Sequence, residues 1–190
     1  MNWTSIVSAI AAGMLSAVAM FTPVDQPRVT TVENDPTIDT VEYDMDYALN
    51  ALRDIYGNDD LTFVCHTERY EGSSDTATAW VIFGGNMNEI HLLSRLCREI
   101  SGMENEIAQA EPALRTWVVL NILNHEAVHT TGIQSEMLTE CQALNTTDVL
   151  ARELGMPEEN IELLQNKYYT NVYVGFQREG YYDENCVVTF

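Results

Sequence analysis

Basic residues are scarce in this sequence. Only 9 Lys and Arg stand against 29 Asp and Glu, which gives a formal net charge of −20 at pH 7. A surface this acidic repels the phosphates of nucleic acids and the headgroups of anionic lipids, so we expect neither as a partner. Such a surface is typical of a protein that stays soluble in an external or salty medium, with an acidic patch for a cationic substrate as the alternative.

Several common patterns are also missing. No two cysteines have C-x-x-C spacing, which disfavours a thioredoxin-type redox site or a cysteine zinc knuckle. The aspartates near residues 57–60 lack the D-x-D-x-D-G order of a calcium-binding loop. There is no internal repeat and no low-complexity block. A chain of 190 residues with 46% apolar residues therefore predicts one ordinary domain with its own core.

The N-terminal segment carries almost no charge. An uncharged run rich in Ala, Ile, Val and Met extends from Ile6 to Phe21, and Ala17-Val18-Ala19 has the small-x-small pattern of a signal peptidase site. No Lys or Arg precedes the run, which is short for a membrane span of about 20 apolar residues. We predict a signal peptide over residues 1–22, with an uncleaved N-terminal anchor as the alternative. A flexible segment over 23–42 and a single domain over 43–190 then follow.

Four cysteines fit an exported chain, because an even number of cysteines in an oxidising compartment indicates disulfides. They are Cys65, Cys97, Cys141 and Cys186. Three connectivities are possible for four cysteines, and we favour Cys65–Cys97 with Cys141–Cys186. The second bond would tie the C-terminal tail to the helix that carries Glu140. We expect a secreted or otherwise extracytoplasmic protein.

Hydrophobic periodicity predicts an α+β fold. Helices are expected over 43–56, from Glu111-Pro112 to Gly132, from Ser135 to Gly155, and from Pro157 to Phe176. A shorter helical piece after Cys97 is expected to break at Ser101-Gly102. Strands are expected over 61–65, 77–83 and 89–93, with another conceivable within 180–190. Three short strands predict a small antiparallel sheet packed on the helices.

One predicted helix carries the pattern H-E-x-x-H, formed by His125, Glu126 and His129. Residues four apart share a helix face with Cβ atoms about 5–6 Å apart, so both imidazoles can point at one ion. Glu126 lies beside them and suits a carboxylate that takes a proton from an activated water. The pattern predicts one bound Zn²⁺ ion. His66 and His91 have no partner at ligand spacing, and we expect them to be strand or surface residues.

The third ligand decides the class of site, because a catalytic zinc usually has three protein ligands and one open position. The longer pattern H-E-x-x-H-x-x-G-x-x-H fails, since Ser135 stands at its third histidine. The other option is a carboxylate on the next helix. If the two helices are antiparallel, Glu136 lies level with His129 and Glu140 with His125, about 6 Å apart along the axis. Spacing alone leaves open which glutamate binds the metal and which accepts the N–H of a histidine.

H-E-x-x-H followed by E-x-x-x-acid on the next helix resembles the glutamate-zincin (gluzincin-like) metallopeptidases. The resemblance covers residues 125 to about 143, and the link from His129 to Glu136 is much shorter than in larger members. It implies a zincin-like fold in which Glu136 is the third zinc ligand and Glu140 holds His125. Because the link is so short, Glu140 stays the alternative ligand. The pair Glu140-Cys141 is also similar to the acid-Cys pair of small secreted bacterial or phage-borne peptidases.

The resemblance also implies what surrounds the site. Such enzymes place an edge strand above the active-site helix, against which an extended substrate adds as a further strand, and residues 89–93 are the candidate. They also supply a His, Tyr or Arg that stabilises the oxyanion. The tyrosines available for this role are Tyr168, Tyr169, Tyr181 and Tyr182.

These expectations combine into a secreted zinc metallopeptidase that hydrolyses peptide bonds, with Glu126 as general base. Its partner would be a peptide or protein substrate, with no nucleic acid and no membrane contact beyond the possible anchor. The alternative is a non-catalytic exported protein, for metal binding or interaction at the cell envelope, that keeps a vestigial H-E-x-x-H site.

Overall fold

The computed structural model describes residues 43–66, 78–178 and 181–188. The signal and flexible segments expected over residues 1–42 lie outside these described residues. The described ranges contain five α-helices and three strands, which confirms the α+β class. No described helix is long and apolar enough to cross a membrane.

The elements follow one another in a simple order along the chain. The helices are α1 (Asp46–Tyr56), α2 (Ser94–Ile107), α3 (Leu114–Thr130), α4 (Glu136–Glu153) and α5 (Glu158–Asn171), followed by a 3-10 helix over Tyr173–Arg178. The strands are β1 (Thr62–His66), β2 (Ala79–Val81) and β3 (Glu89–Leu93).

Two of the predicted boundaries were wrong. Helix α2 continues through Ser101-Gly102, because the buried residues Ile100, Met103 and Ile107 keep their helical spacing across it. One glycine inside a helix costs only about 1 kcal/mol, which this burial offsets. Helix α5 ends at Asn171 rather than near Phe176. Residues 181–188 form no strand.

The sheet has the order β1-β3-β2, in which β1 is parallel to β3 and β2 is antiparallel to it. The predicted antiparallel sheet was therefore wrong, because β1 and β2 pair with opposite edges of β3 instead of with each other. The proposed edge strand over 89–93 was wrong for the same reason, since it is the central strand. The edge strand that packs against α3 is β2.

Helix α3 lies at the centre of the molecule. Its residues 116–129 are all buried, and its apolar side chains, among them Trp117 and Leu120, belong to the main hydrophobic core. The inner face of the sheet adds Ile90 and Leu92 to this core. The outer face carries His91 and a small separate apolar cluster around Trp80 and Leu93.

A tight turn joins α3 to α4. Gly132 has a φ of 96°, in the left-handed region where glycine carries no steric penalty, as predicted for the end of α3. Ser135 caps α4 by accepting a hydrogen bond from the backbone N–H of Leu138 at 3.4 Å. The turn places the last turns of α3 beside the first turns of α4.

Two disulfides join Cys65 to Cys97 and Cys141 to Cys186, which confirms the favoured pairing. The first links β1 to α2. The second links α4 to the segment over residues 181–188. In this segment, the ring of Tyr181 lies beside that of His125 on α3.

Candidate metal centre

Helix α3 carries polar side chains into the protein interior. Its buried polar residues are Thr116, Asn121, Asn124, His125, Glu126 and His129. Burial of polar groups destabilises a fold unless hydrogen bonds or charges satisfy them. Helix α4 packs against this face with buried polar residues of its own, which are Glu136, Thr139, Glu140 and Thr147.

Three side-chain atoms converge between the two helices. Nε2 of His125 lies 3.1 Å from Nε2 of His129 and 3.0 Å from Oε2 of Glu136. Nε2 of His129 lies 3.4 Å from the same carboxylate oxygen. Within the described residues, this is the one group of donor atoms that could hold a metal ion.

The donor set fits a divalent metal ion. Two imidazole nitrogens and one carboxylate oxygen are ligands that zinc accepts, and three protein ligands leave a fourth position open. Among the described residues, Oε1 of Glu136 is buried without a hydrogen-bond partner, which is unusual for a buried carboxylate oxygen. A cation held at this point would compensate the buried carboxylate.

In both histidines, the Nδ1 atom faces away from the point of convergence and has a hydrogen-bond acceptor that orients the ring. Nδ1 of His125 lies 2.9 Å from Oε2 of Glu140, and Nδ1 of His129 lies 2.7 Å from the carbonyl oxygen of Ile133. Because a carboxylate and a carbonyl only accept, each Nδ1 carries the proton. Both Nε2 atoms can then present lone pairs to a metal ion.

The two glutamates, which spacing alone left open, occupy different positions. Glu136 meets the two Nε2 atoms, whereas Glu140 meets only the far nitrogen of His125. The contacts of His125 with Glu140 and of His129 with Glu136 match the register expected for antiparallel helices. Glu140 therefore lies behind His125 rather than at the point where the three atoms converge.

Buried charges at this site perturb one another. Burial alone would lower the pKa of His125, but hydrogen bonds to Glu136 and Glu140 outweigh it and raise the pKa to about 10. Burial would raise the pKa of Glu136, but hydrogen bonds to His125 and His129 lower it to about 2. The buried imidazoles and carboxylates of the site therefore stabilise one another's charged forms.

Glu126 follows His125 on α3 and is 8% exposed. Burial raises its pKa, although the nearby charges of His129 and His125 oppose the shift. A carboxylate with a raised pKa, next to a metal centre, is suited to accept a proton near neutral pH and to release it again.

Two aromatic rings border the histidines. The ring of Phe83, just after β2, lies edge-on to His129 with centroids 5.3 Å apart. The ring of Tyr181 lies 6.3 Å from that of His125. Sequence reasoning missed Phe83, for which no local pattern gives a signal, and did not distinguish Tyr181 from the other candidate tyrosines.

The other candidate tyrosines have different contacts. The hydroxyl of Tyr168 donates to Oε1 of Glu140 at 3.0 Å, while the rings of Tyr169 and Tyr182 pack against Tyr173. Of the four candidates, Tyr181 is the one whose ring lies beside that of His125. Sequence reasoning also missed Asn121, although its position one helical turn before His125 was an available signal.

The remaining two histidines form a second pair on the outer face of the sheet. Nε2 of His66 lies 2.9 Å from Nδ1 of His91, and Nε2 of His91 lies 3.6 Å from Oε2 of Glu89. The ring of Trp80 stacks on His91 with centroids 5.7 Å apart. Both histidines lie on strands, as expected from the sequence, and neither reaches the centre between α3 and α4.

The described residues thus form an α+β protein with a buried His125-His129-Glu136 group that could bind a metal ion. Comparisons of the chain with protein-family models, curated proteins and solved structures find no match.

Proposed function

We propose that the protein is an extracytoplasmic zinc-dependent endopeptidase. The observation that carries the proposal is the convergence of His125, His129 and Glu136 on one point, with Glu126 on the same helix. Three nitrogen and oxygen ligands with an open fourth position are typical of catalytic zinc, whereas structural zinc sites usually have four protein ligands. The two disulfides and the acidic composition support a location outside the cytoplasm.

In this proposal, His125, His129 and Glu136 hold the metal ion. A bound zinc ion would supply Lewis acidity, which polarises a carbonyl and makes water more acidic. Glu126 accepts a proton from the water that attacks the peptide carbonyl carbon. Glu126 then donates this proton to the amine nitrogen as the C–N bond breaks, so the carboxylate is regenerated at the end of the reaction.

Residues around the metal ligands suggest how a peptide would bind. Strand β2 is an edge strand among the described strands and packs against α3, so an extended peptide could add to it. We assign this role to β2 in place of residues 89–93. Tyr181 is the candidate for polarising the substrate carbonyl, because its ring lies beside that of His125.

A metal-binding protein without catalysis is the second candidate. It is favoured by the depth of the site, since His125, His129, Glu126 and Glu136 are all at most 8% exposed. A substrate must reach the ligands for hydrolysis, whereas a purely structural or storage site needs no such access.

The two candidates are separated by metal analysis and a cleavage assay on the purified protein. The endopeptidase proposal expects about one zinc ion per chain by elemental analysis and cleavage within a mixed-sequence peptide library. The Glu126→Gln variant should keep the metal and lose cleavage, whereas Glu153→Gln, at an exposed position of α4, should keep both. Stoichiometric zinc with no cleavage of any peptide would favour the metal-binding protein.

A further inference from the structure

A closed set of hydrogen bonds lies behind His125, on the side away from the convergent Nε2 atoms. Glu140 accepts from His125 through Oε2 and from two further donors through Oε1. These donors are Nδ2 of Asn121 at 3.1 Å and the hydroxyl of Tyr168 at 3.0 Å. Asn121 and Tyr168 also contact each other, at 2.9 Å. These side chains come from three helices, with His125 and Asn121 on α3, Glu140 on α4 and Tyr168 on α5.

Glu140 is fully buried, and within the described part of the chain its ion-pair partner is His125 rather than Lys or Arg. Its carboxylate is therefore stabilised by three hydrogen-bond donors in fixed positions. Burial, together with the charge of Glu140, raises the pKa of Tyr168 well above its usual value, so the phenol keeps its proton and donates it. Removal of one donor would leave a buried carboxylate oxygen with a partner missing.

The carboxylate of Glu140 fixes the orientation of the Asn121 amide, because it only accepts hydrogen bonds and Nδ2 is the donor of the amide. Oδ1 then lies on the other side, 3.1 Å from the hydroxyl of Thr147, which is also 2.7 Å from the carbonyl oxygen of Ala143. With Oδ1 directed to Thr147, the Nδ2 group of Asn121 faces Glu140 and Tyr168, where donors are needed. The amide thus cannot rotate without breaking contacts on both of its sides.

We propose that Asn121 and Tyr168 are positioning residues for the metal centre, which hold Glu140 so that it fixes the ring and tautomer of His125. The proposal rests on the metal binding assigned to His125, His129 and Glu136 above. Partners behind a ligand histidine keep its lone pair directed at the metal, and their loss typically weakens metal affinity about 10–100-fold. Tyr168, on a helix that carries no metal ligand, thereby contributes to metal affinity from a distance.

The chain offers a matched control in Tyr173. It is a fully buried tyrosine like Tyr168, and its hydroxyl also makes hydrogen bonds, in this case with the backbone of Asp183 at 3.0 and 3.3 Å. Tyr173→Phe and Tyr168→Phe each delete one buried hydroxyl. The difference between them is that only the hydroxyl of Tyr168 reaches Glu140.

The test compares zinc affinity in these variants of the full chain. Zinc dissociation constants are measured by competition with a chromophoric chelator, and thermal midpoints of the metal-free proteins are recorded in parallel. We expect Tyr168→Phe to weaken zinc binding about tenfold and Tyr173→Phe to leave it unchanged, even where both lower the metal-free midpoint equally. The visible spectrum of the cobalt-substituted protein should change in Tyr168→Phe only.

Asn121→Leu provides a second variant of nearly the same size, in case Tyr168→Phe fails to fold. It removes the Nδ2 donor to Glu140 and should also weaken zinc binding about tenfold. Wild-type zinc affinity in every folded variant of this set would overturn the positioning role while leaving the metal site intact. If the wild-type chain itself binds no zinc, the proposed function fails together with this inference, and the first titration shows it.

Discussion

The four histidines of the chain form two pairs of different geometry. The nitrogens of His66 and His91 are closer than those of His125 and His129, at 2.9 against 3.1 Å. The ring centroids are nevertheless farther apart, at 5.1 against 4.7 Å. The rings of the first pair must therefore point at each other head-on, as in an N–H···N hydrogen bond. The rings of the second pair are bent toward a third point, where Glu136 lies.

The direction in which the ring nitrogens point decides whether a pair of histidines can share a proton or a metal ion. A head-on pair holds one proton between two nitrogens and leaves no room for a further ligand. A convergent pair leaves both lone pairs directed at a common position, which a carboxylate completes. Proximity of two histidines is therefore a weaker indication of a metal site than the direction of their nitrogens.

The largest effect is expected when a histidine of the convergent pair is removed, and removal of a histidine from the head-on pair is the control. His125→Ala deletes a ligand of the convergent group and should abolish stoichiometric zinc binding, measured by elemental analysis after dialysis. His66→Ala deletes a partner of the head-on pair and should leave the zinc content unchanged. Loss of zinc in His66→Ala, with the fold intact by circular dichroism, would contradict the distinction between the pairs.

The next largest effect concerns catalysis at the convergent pair. Glu126→Gln removes the proposed proton acceptor while keeping the size and hydrogen-bonding capacity of the side chain. We expect kcat/KM for peptide cleavage to fall about 10²–10⁴-fold, with KM little changed, because general-base catalysis contributes on this order. Equal activity in Glu126→Gln and wild type would exclude Glu126 as the base even if zinc is present.

The two glutamates of α4 should differ in their contribution to zinc binding. Glu136→Ala removes an atom of the convergent group, so we expect zinc affinity to be lost almost entirely. Glu140→Ala removes only a partner of His125, and affinity should fall about 10–100-fold. Competition with a chelator measures both. The reverse order of effects would make Glu140 the metal ligand, which is the alternative that spacing left open.

The local parts of the centre could be predicted from the sequence. Helical spacing alone relates His125 to His129, and antiparallel packing across Gly132 relates them to Glu136 and Glu140. These relations extend over few residues and depend on regular geometry.

The remaining features depend on packing between distant segments, which local patterns do not record. Tyr168 is 28 residues further along the chain than Glu140, with which it forms a hydrogen bond. Phe83 follows β2 and contacts His129 on α3. The parallel pairing of β1 with β3 also escaped prediction, because strand order is decided by which edge each strand occupies. For the same reason, the contact between His66 and His91 has no signature in their spacing.

The smallest expected effect is the response of the head-on pair to acid. Burial lowers the pKa of His66 and of His91, and in His91 the neighbouring His66 adds to the shift, although Glu89 opposes it in both. A folded-state pKa below the ordinary value of 6.5 means that the unfolded chain binds protons more readily. The contribution of the pair to stability is therefore complete above pH 6.5 and is lost as the pH falls through the folded-state pKa values.

Scanning calorimetry of the zinc-loaded protein at pH 7.5 and 5.5 measures this response. Between the two pH values, Tm should fall less in the His66→Gln variant than in the wild type, because one of the two imidazoles with a lowered pKa is absent. Each kcal/mol lowers Tm by about 2–4 °C in a chain of this length, so a modest difference is measurable. Any acid sensitivity of the metal centre is common to both proteins and cancels in the comparison. An equal decrease in Tm would contradict the prediction, because it would show that folding does not lower the pKa of His66.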